Sequence, residues 1–162
     1  MQPEYRKRVS LKNPVHFCAL GGGSGLIPFM PGTFGSLAAI PLVLLVALLG
    51  ESVYLATTFV VSIIGVYFCG KTADDMGVHD HGSIVWDEVA GIFITFLFAP
   101  LSVFSLVAGF VLFRFFDILK PWPIGPVDKR LHGGTGIMLD DVLAGIMACC
   151  SLHLLLWALP GL

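Results

Sequence analysis

Charge is scarce in this sequence. Charged residues make up 12% of its 162 positions, where a soluble globular domain carries about 25%. A polar coat over the whole molecule is therefore not expected; the soluble alternative is an all-α protein with an unusually apolar core. Excess positive charge is also missing. The net charge of −2 argues against a nucleic-acid partner. The four cysteines, Cys18, Cys69, Cys149 and Cys150, form no CxxC pair, so the usual zinc spacing is absent. None precedes the phosphate loop and arginine of a cysteine phosphatase. Walker spacing, GxGxxG and the DxDxT of aspartyl phosphatases are missing too. The stretch from Met1 to Pro14 is polar and basic and lacks the compact apolar region of a signal peptide.

What is abundant is apolar sequence. Hydrophobic residues reach 56% and the mean hydropathy is +0.89. Five apolar segments stand out, at about Leu37–Leu49, Val53–Cys69, Val89–Ala99, Val103–Phe116 and Val142–Leu159. They lack strand alternation. None is an ideal span of about 20 residues, so some are expected to be short or only partly inserted. The fold class predicted is all-α: a polytopic membrane helical bundle in one domain, residues 1–162, with residues 1–14 as a polar basic N-terminal segment.

The charges are distributed unevenly. All nine Lys and Arg residues fall at Arg6, Lys7, Arg8 and Lys12, at Lys71, and at Arg114, Lys120, Lys129 and Arg130. If the segments pair as hairpins, these regions share one side, and positive charge marks the cytoplasmic side. Every acidic residue except Glu51 falls there as well. The last segment then ends on the opposite side.

Four polar clusters interrupt the apolar background. The first is the glycine run Gly21–Gly25 with Pro31-Gly32-Thr33-Phe34-Gly35-Ser36, where glycine allows close backbone approach and Thr33 and Ser36 precede a helix whose N–H groups favour phosphate. An ordinary Ser/Thr helix cap is the alternative. The second, Asp74 to Glu88, puts five carboxylates and two histidines in fifteen residues. Helix capping needs only one acid, and Mg²⁺ prefers carboxylate oxygens. In the third, Arg114, Asp117 and Lys120 recur every three residues on one helix face before Pro121 ends it. In the fourth, His132-Gly133-Gly134 leads to Asp140-Asp141 at the opening of an apolar helix. Adjacent helical residues point about 100° apart, so one acid can meet a metal while the other orients a ligand or caps. Gly65, Gly91, Gly109 and Gly145 are candidates for close helix contacts. His16 and His153 read as isolated structural histidines.

These clusters, in this order, resemble the phosphatidylglycerophosphatase A family across roughly Asn13 to Ala148. The resemblance implies a bacterial inner-membrane, Mg²⁺-dependent phosphatase that converts phosphatidylglycerophosphate to phosphatidylglycerol and inorganic phosphate. Its substrate partner would be that phospholipid within the membrane lipid; a homo-oligomer stays open. On this footing Asp87, Glu88, Asp117, Asp140 and Asp141 are the expected metal ligands or their support. Lys120 is expected to stabilise phosphate charge, with Thr33, Gly35, Ser36 and His132 contacting substrate. His79, Asp80 or His81 would handle protons. The competing classes are a small membrane transporter, which needs polar groups along a path to both faces, and a non-catalytic lipid- or metal-binding membrane protein.

Overall fold

The computed structural model describes residues 3–78 and 80–159. Among these, all regular structure is helical: α1 (Pro3–Arg8), α2 (Pro14–Ala19), a 3-10 stretch (Gly21–Leu26), α3 (Pro31–Ala47), α4 (Glu51–Met76), α5 (Trp86–Thr95), α6 (Val103–Leu119), α7 (Ile124–Arg130) and α8 (Gly133–Ala158). The expected apolar segments correspond to α3, α4, α5, α6 and α8. Several helices outgrow their predicted limits, α4 and α8 by the most. α4 continues past Cys69 to Met76, and α8 begins at Gly133 rather than near Val142.

Local signals explain the boundaries. Asn13 caps α2 by accepting the Val15 N–H, with Pro14 in the first turn. Gly77 ends α4 in the left-handed region at φ 71°. Its N–H donates to the Asp74 carbonyl and that of Val78 to the Ala73 carbonyl, a Schellman stop. Ser102 caps α6. That helix ends where Lys120 turns left-handed at φ 43°, directly before Pro121.

α4 and α8, each of 26 residues, are long and apolar enough to cross a membrane; at 1.5 Å per residue each is about 39 Å long. They are not the buried core helices of a soluble protein, because only 22% and 28% of their most apolar windows is buried. Leu42 and Leu45 of α3, Phe59 and Ile63 of α4, Val107 and Val111 of α6, and Leu154 and Trp157 of α8 are all exposed. This much contiguous apolar surface suits lipid, not water. α3 is a shorter apolar helix, and α5, with ten residues, extends only about 15 Å.

The turns sort to two ends. Ala47, Glu51, Pro100 and Leu101 line one cavity of about 500 Å³ with Tyr54, Phe96, Phe98 and Ala99, so the α3–α4 and α5–α6 turns share one end. At the other end the N-terminal segment meets the α4–α5 connection. Val85 N–H donates to the Ala19 carbonyl at 2.8 Å, and the rings of Tyr5 and His81 meet edge-on. His16 is buried there and not isolated. Its Nδ1 accepts the Ser10 N–H, and its Nε2 lies 3.0 Å from Asp75 Oδ2. Asp75 thus ties α2 to α4.

Small residues set the central spacing. A Cβ on Gly145 of α8 would lie 2.6 Å from the Gly91 carbonyl oxygen of α5, and one on Gly91 would lie 3.0 Å from the Asp141 carbonyl oxygen. A Cβ on Gly134 would lie 1.9 Å from the Val66 carbonyl oxygen of α4. Gly65 abuts Met138 and Trp86, and Gly109 abuts Phe96. The predicted small-residue contacts are therefore real packing sites. Gly145→Ala forces backbone apart and is expected to cost about 1–3 kcal/mol. Thermal unfolding in detergent should show its Tm several degrees below wild type. Gly82→Ala, whose Cβ meets nothing closer than 4.0 Å, is the control.

Candidate active site

The α5–α8 contact decides where the acids go. Gly91 lies one turn beyond Asp87, and Gly145 one turn beyond Asp141. Residues four apart share a helix face, so where the glycines let the backbones touch, the acids one turn earlier must converge. Asp87, Glu88 and Asp141 each bring a carboxylate oxygen within 4.8 Å of the other two. Glu88 and Asp141 are buried. Asp87 and Glu88 occupy the first turn of α5, where the helix dipole favours negative charge.

Asp140 and Asp141 do not open their helix, contrary to the sequence expectation. His132 holds the cap position in extended geometry, which puts both acids in the helix interior, and neither is a cap. Their roughly 100° separation sends them to different partners. Asp141 joins the carboxylate group. Asp140 Oδ2 receives Lys120 Nζ at 2.6 Å.

Two cations border the acids. Arg114 Nη1 lies 2.5 Å from Asp117 Oδ2 and 3.8 Å from Glu88 Oε1, and it points to Ser36 Oγ at 3.5 Å. Lys120 does not extend the Arg114–Asp117 row. Its left-handed backbone turns it toward Asp128, 2.6 Å away, as well as Asp140. Burial works against the charge on Lys120, but hydrogen bonds to Asp128 and Asp140 outweigh it and hold its pKa above the usual lysine value.

The first turns of α3 close over this arrangement, and Thr33 and Ser36 lie inside that helix rather than before it, because Met30 holds the cap position. A Cβ on Gly32 would fall 2.1 Å from Glu88 Oε1 and 3.2 Å from Arg114 Nη1. Ser36 is buried and donates to the Gly32 carbonyl at 2.9 Å. Thr33 Oγ1 is buried with no hydrogen-bond partner, as are Asp87 Oδ1, Glu88 Oε2, Asp140 Oδ1 and Arg114 Nε. Buried polar atoms are ordinarily paired, so these residues keep hydrogen-bonding capacity that the described residues leave unused. The hard oxygen donors suit a divalent cation such as Mg²⁺.

The other predicted residues sit further out. Gly35 packs against Val85, and Gly25 against the Ser83 carbonyl, so these glycines seat α3 and the 3-10 stretch on the segment before α5. His132 is exposed at the start of α8, with Nδ1 3.1 Å from the Arg130 carbonyl. Asp80 is exposed on the loop before α5. His81 accepts the Ser83 N–H at Nδ1. Burial lowers its pKa, against the opposing charge of Asp80, which favours the neutral ring that acceptance requires. His79 lies outside the described residues. Arg114 is the main residue underweighted from sequence; its three-residue spacing to Asp117 was the available signal. Asp128 gave none, since only the turn after Pro121 brings it to Lys120.

An apolar helical bundle with buried carboxylates and two cations at one end defines a membrane protein equipped for phosphate chemistry. The chain belongs to the phosphatidylglycerophosphatase A family, whose family model matches residues 17–156. It is 50% identical over 149 residues to phosphatidylglycerophosphatase A of Escherichia coli (strain K12), covering 91% of this chain and 87% of that protein. It is 56% identical over 144 residues to phosphatidylglycerophosphatase A of Haemophilus influenzae, covering 88% of each. No solved structure matches the chain.

Gly32→Ala tests the closing turn. The added methyl has to displace the Glu88 carboxylate, and a misplacement of about 1 Å can cost on the order of 10²-fold in rate. Phosphate release should fall on that scale with Tm nearly unchanged, because the displaced atom ends a flexible side chain.

Proposed function

We propose that this protein hydrolyses phosphatidylglycerophosphate to phosphatidylglycerol and inorganic phosphate at the cytoplasmic face of a bacterial inner membrane, with Mg²⁺ as cofactor. The observation that carries this reading is the convergence of Asp87, Glu88 and Asp141, with unpartnered buried oxygens, beside Arg114. Family membership names the lipid. The lone acid near the opposite turns, Glu51, offers no polar path across the bundle, which weighs against a transporter.

Asp87, Glu88 and Asp141 would hold the cation, with Asp117 and Asp140 at its border. When bound, Mg²⁺ would neutralise phosphoryl oxygens and make water a better nucleophile. In the net reaction a water oxygen bonds to phosphorus and the bond from phosphorus to the glycerol oxygen breaks. One water proton ends on that glycerol oxygen, and the phosphate leaves as the other product. His79, Asp80 and His81 are the proposed proton carriers, standing on the loop that leads into α5. Thr33 and Ser36 would border the phosphoryl group. Lys120 keeps Asp140 fixed. His132 would meet the head group from the exposed start of α8.

The membrane arrangement is part of the proposal. α3 with α4 and α5 with α6 form two hairpins whose basic ends face the cytoplasm, and α8 crosses alone. Lipid tails then stay in the bilayer while the head group reaches the acids, so no apolar substrate enters water.

Purified protein should release phosphate from phosphatidylglycerophosphate when Mg²⁺ is present and lose that activity on chelation; full activity in metal-free protein would sink the metal mechanism. Asp87→Asn should reduce turnover by about 10²–10³-fold, the scale on which one electrostatic partner acts in an active site, with an unchanged circular-dichroism spectrum. Topology is checked separately. A C-terminal alkaline phosphatase fusion should be active, since that enzyme works only outside the cytoplasm, and an inactive fusion would reverse the orientation.

A further inference from the structure

The two cations in the site are not equivalent. Lys120 Nζ is held at 2.6 Å by Asp128 and at 2.6 Å by Asp140. Two carboxylates already compensate this single ammonium, so little of its attraction remains for another anion. Arg114 differs. Among the described residues its only short ion pair is with Asp117; Glu88 at 3.8 Å is beyond hydrogen-bond reach, and Ser36 Oγ at 3.5 Å is at its limit. All three contacts use Nη1. Nε is buried and unpartnered.

A guanidinium presents its donors in a rigid plane, and the Nε edge can grip two oxygens of one phosphate. The surroundings of Arg114 fit such a ligand. Gly32 touches both Arg114 and Glu88, which places the turn carrying Thr33 beside the guanidinium. Thr33 Oγ1 is a second buried, unpartnered group. The carboxylates proposed to hold the cation begin at Glu88, whose Oε1 lies 3.8 Å from Arg114 Nη1. A phosphoryl group here would meet a guanidinium edge, a hydroxyl and a divalent cation together. A buried donor left without a partner is costly, and a purely structural arginine gains nothing from it.

We propose that Arg114, rather than Lys120, binds the phosphoryl oxygens of substrate and product, and that Lys120 acts by positioning Asp140. This rests on the phosphatase reading of the site.

The test is binding of inorganic phosphate, the product, to the full-length protein in detergent with saturating Mg²⁺, measured by calorimetry. Mg²⁺ affinity is measured separately, and phosphate release from the lipid is assayed alongside. R114Q and R114K should each weaken phosphate binding by about tenfold or more, because neither can restore the planar fork. Their Mg²⁺ affinity should be equal or tighter, since R114Q removes a positive charge beside Glu88. K120Q should weaken phosphate binding by less than either. Should R114Q fail to fold, R114K decides on the same criteria. Phosphate binding undiminished in the Arg114 variants would overturn the assignment and leave the phosphatase reading standing. So would a larger loss in K120Q. Parallel loss of Mg²⁺ and phosphate binding in both Arg114 variants would make the residue structural and overturn the assignment too. Wild-type protein that releases no phosphate from the lipid would remove the phosphatase reading, and this proposal with it.

Discussion

Everything in the site depends on the contact between α5 and α8. Gly91 and Gly145 remove the side chains that would hold these helices apart, and the backbones meet there. One turn earlier, the same geometry presses Asp87 and Glu88 against Asp141. Carboxylates with so little water repel one another strongly in a low effective dielectric. The fold tolerates this because apolar packing holds the helices together and because Arg114, 3.8 Å from Glu88, supplies partial compensation.

α5 starts at the polar end and stops after ten residues, long enough to fix Asp87 and Glu88 and to seat Ile92 and Phe93 in the core. α8 runs much further, holding the site in its first half and apolar surface in its second. The N-terminal segment, which carries much of the basic charge, leans on the α4–α5 connection through His16, Asp75 and the Ala19–Val85 hydrogen bond. Part of the acid-rich Asp74–Glu88 stretch is therefore scaffolding: Asp75 fastens helices while Asp87 and Glu88 face the site.

Composition made the all-helical, membrane-suited character legible, because a chain so poor in charge cannot cover itself with polar groups. Pro121 was legible as a helix end, because it acts through local backbone chemistry; the stop at Gly77 was not, since the apolar run ends earlier, at Cys69. The small residues Gly65, Gly91, Gly109 and Gly145 were recognisable as contact points by residue type. The acids Asp87, Glu88 and Asp141 stood out because carboxylates are expensive in apolar surroundings.

Partnership was not legible. Asp140 and Asp141 look alike in sequence, and an N-terminal helix position would have made one of them a cap. Only the true start of α8 at Gly133 places both in the interior, and only the helix rotation sends one to Lys120 and the other to Asp87 and Glu88. Lys120 and Arg114 read as one ladder until the left-handed turn at Lys120 separates them. The sequence by itself determined the helical class, the apolar surface and the kinds of chemical group available, since those follow from composition and local backbone preference. The tertiary structure alone decided which charges meet, because pairing depends on the distance and rotation between helices far apart in the chain.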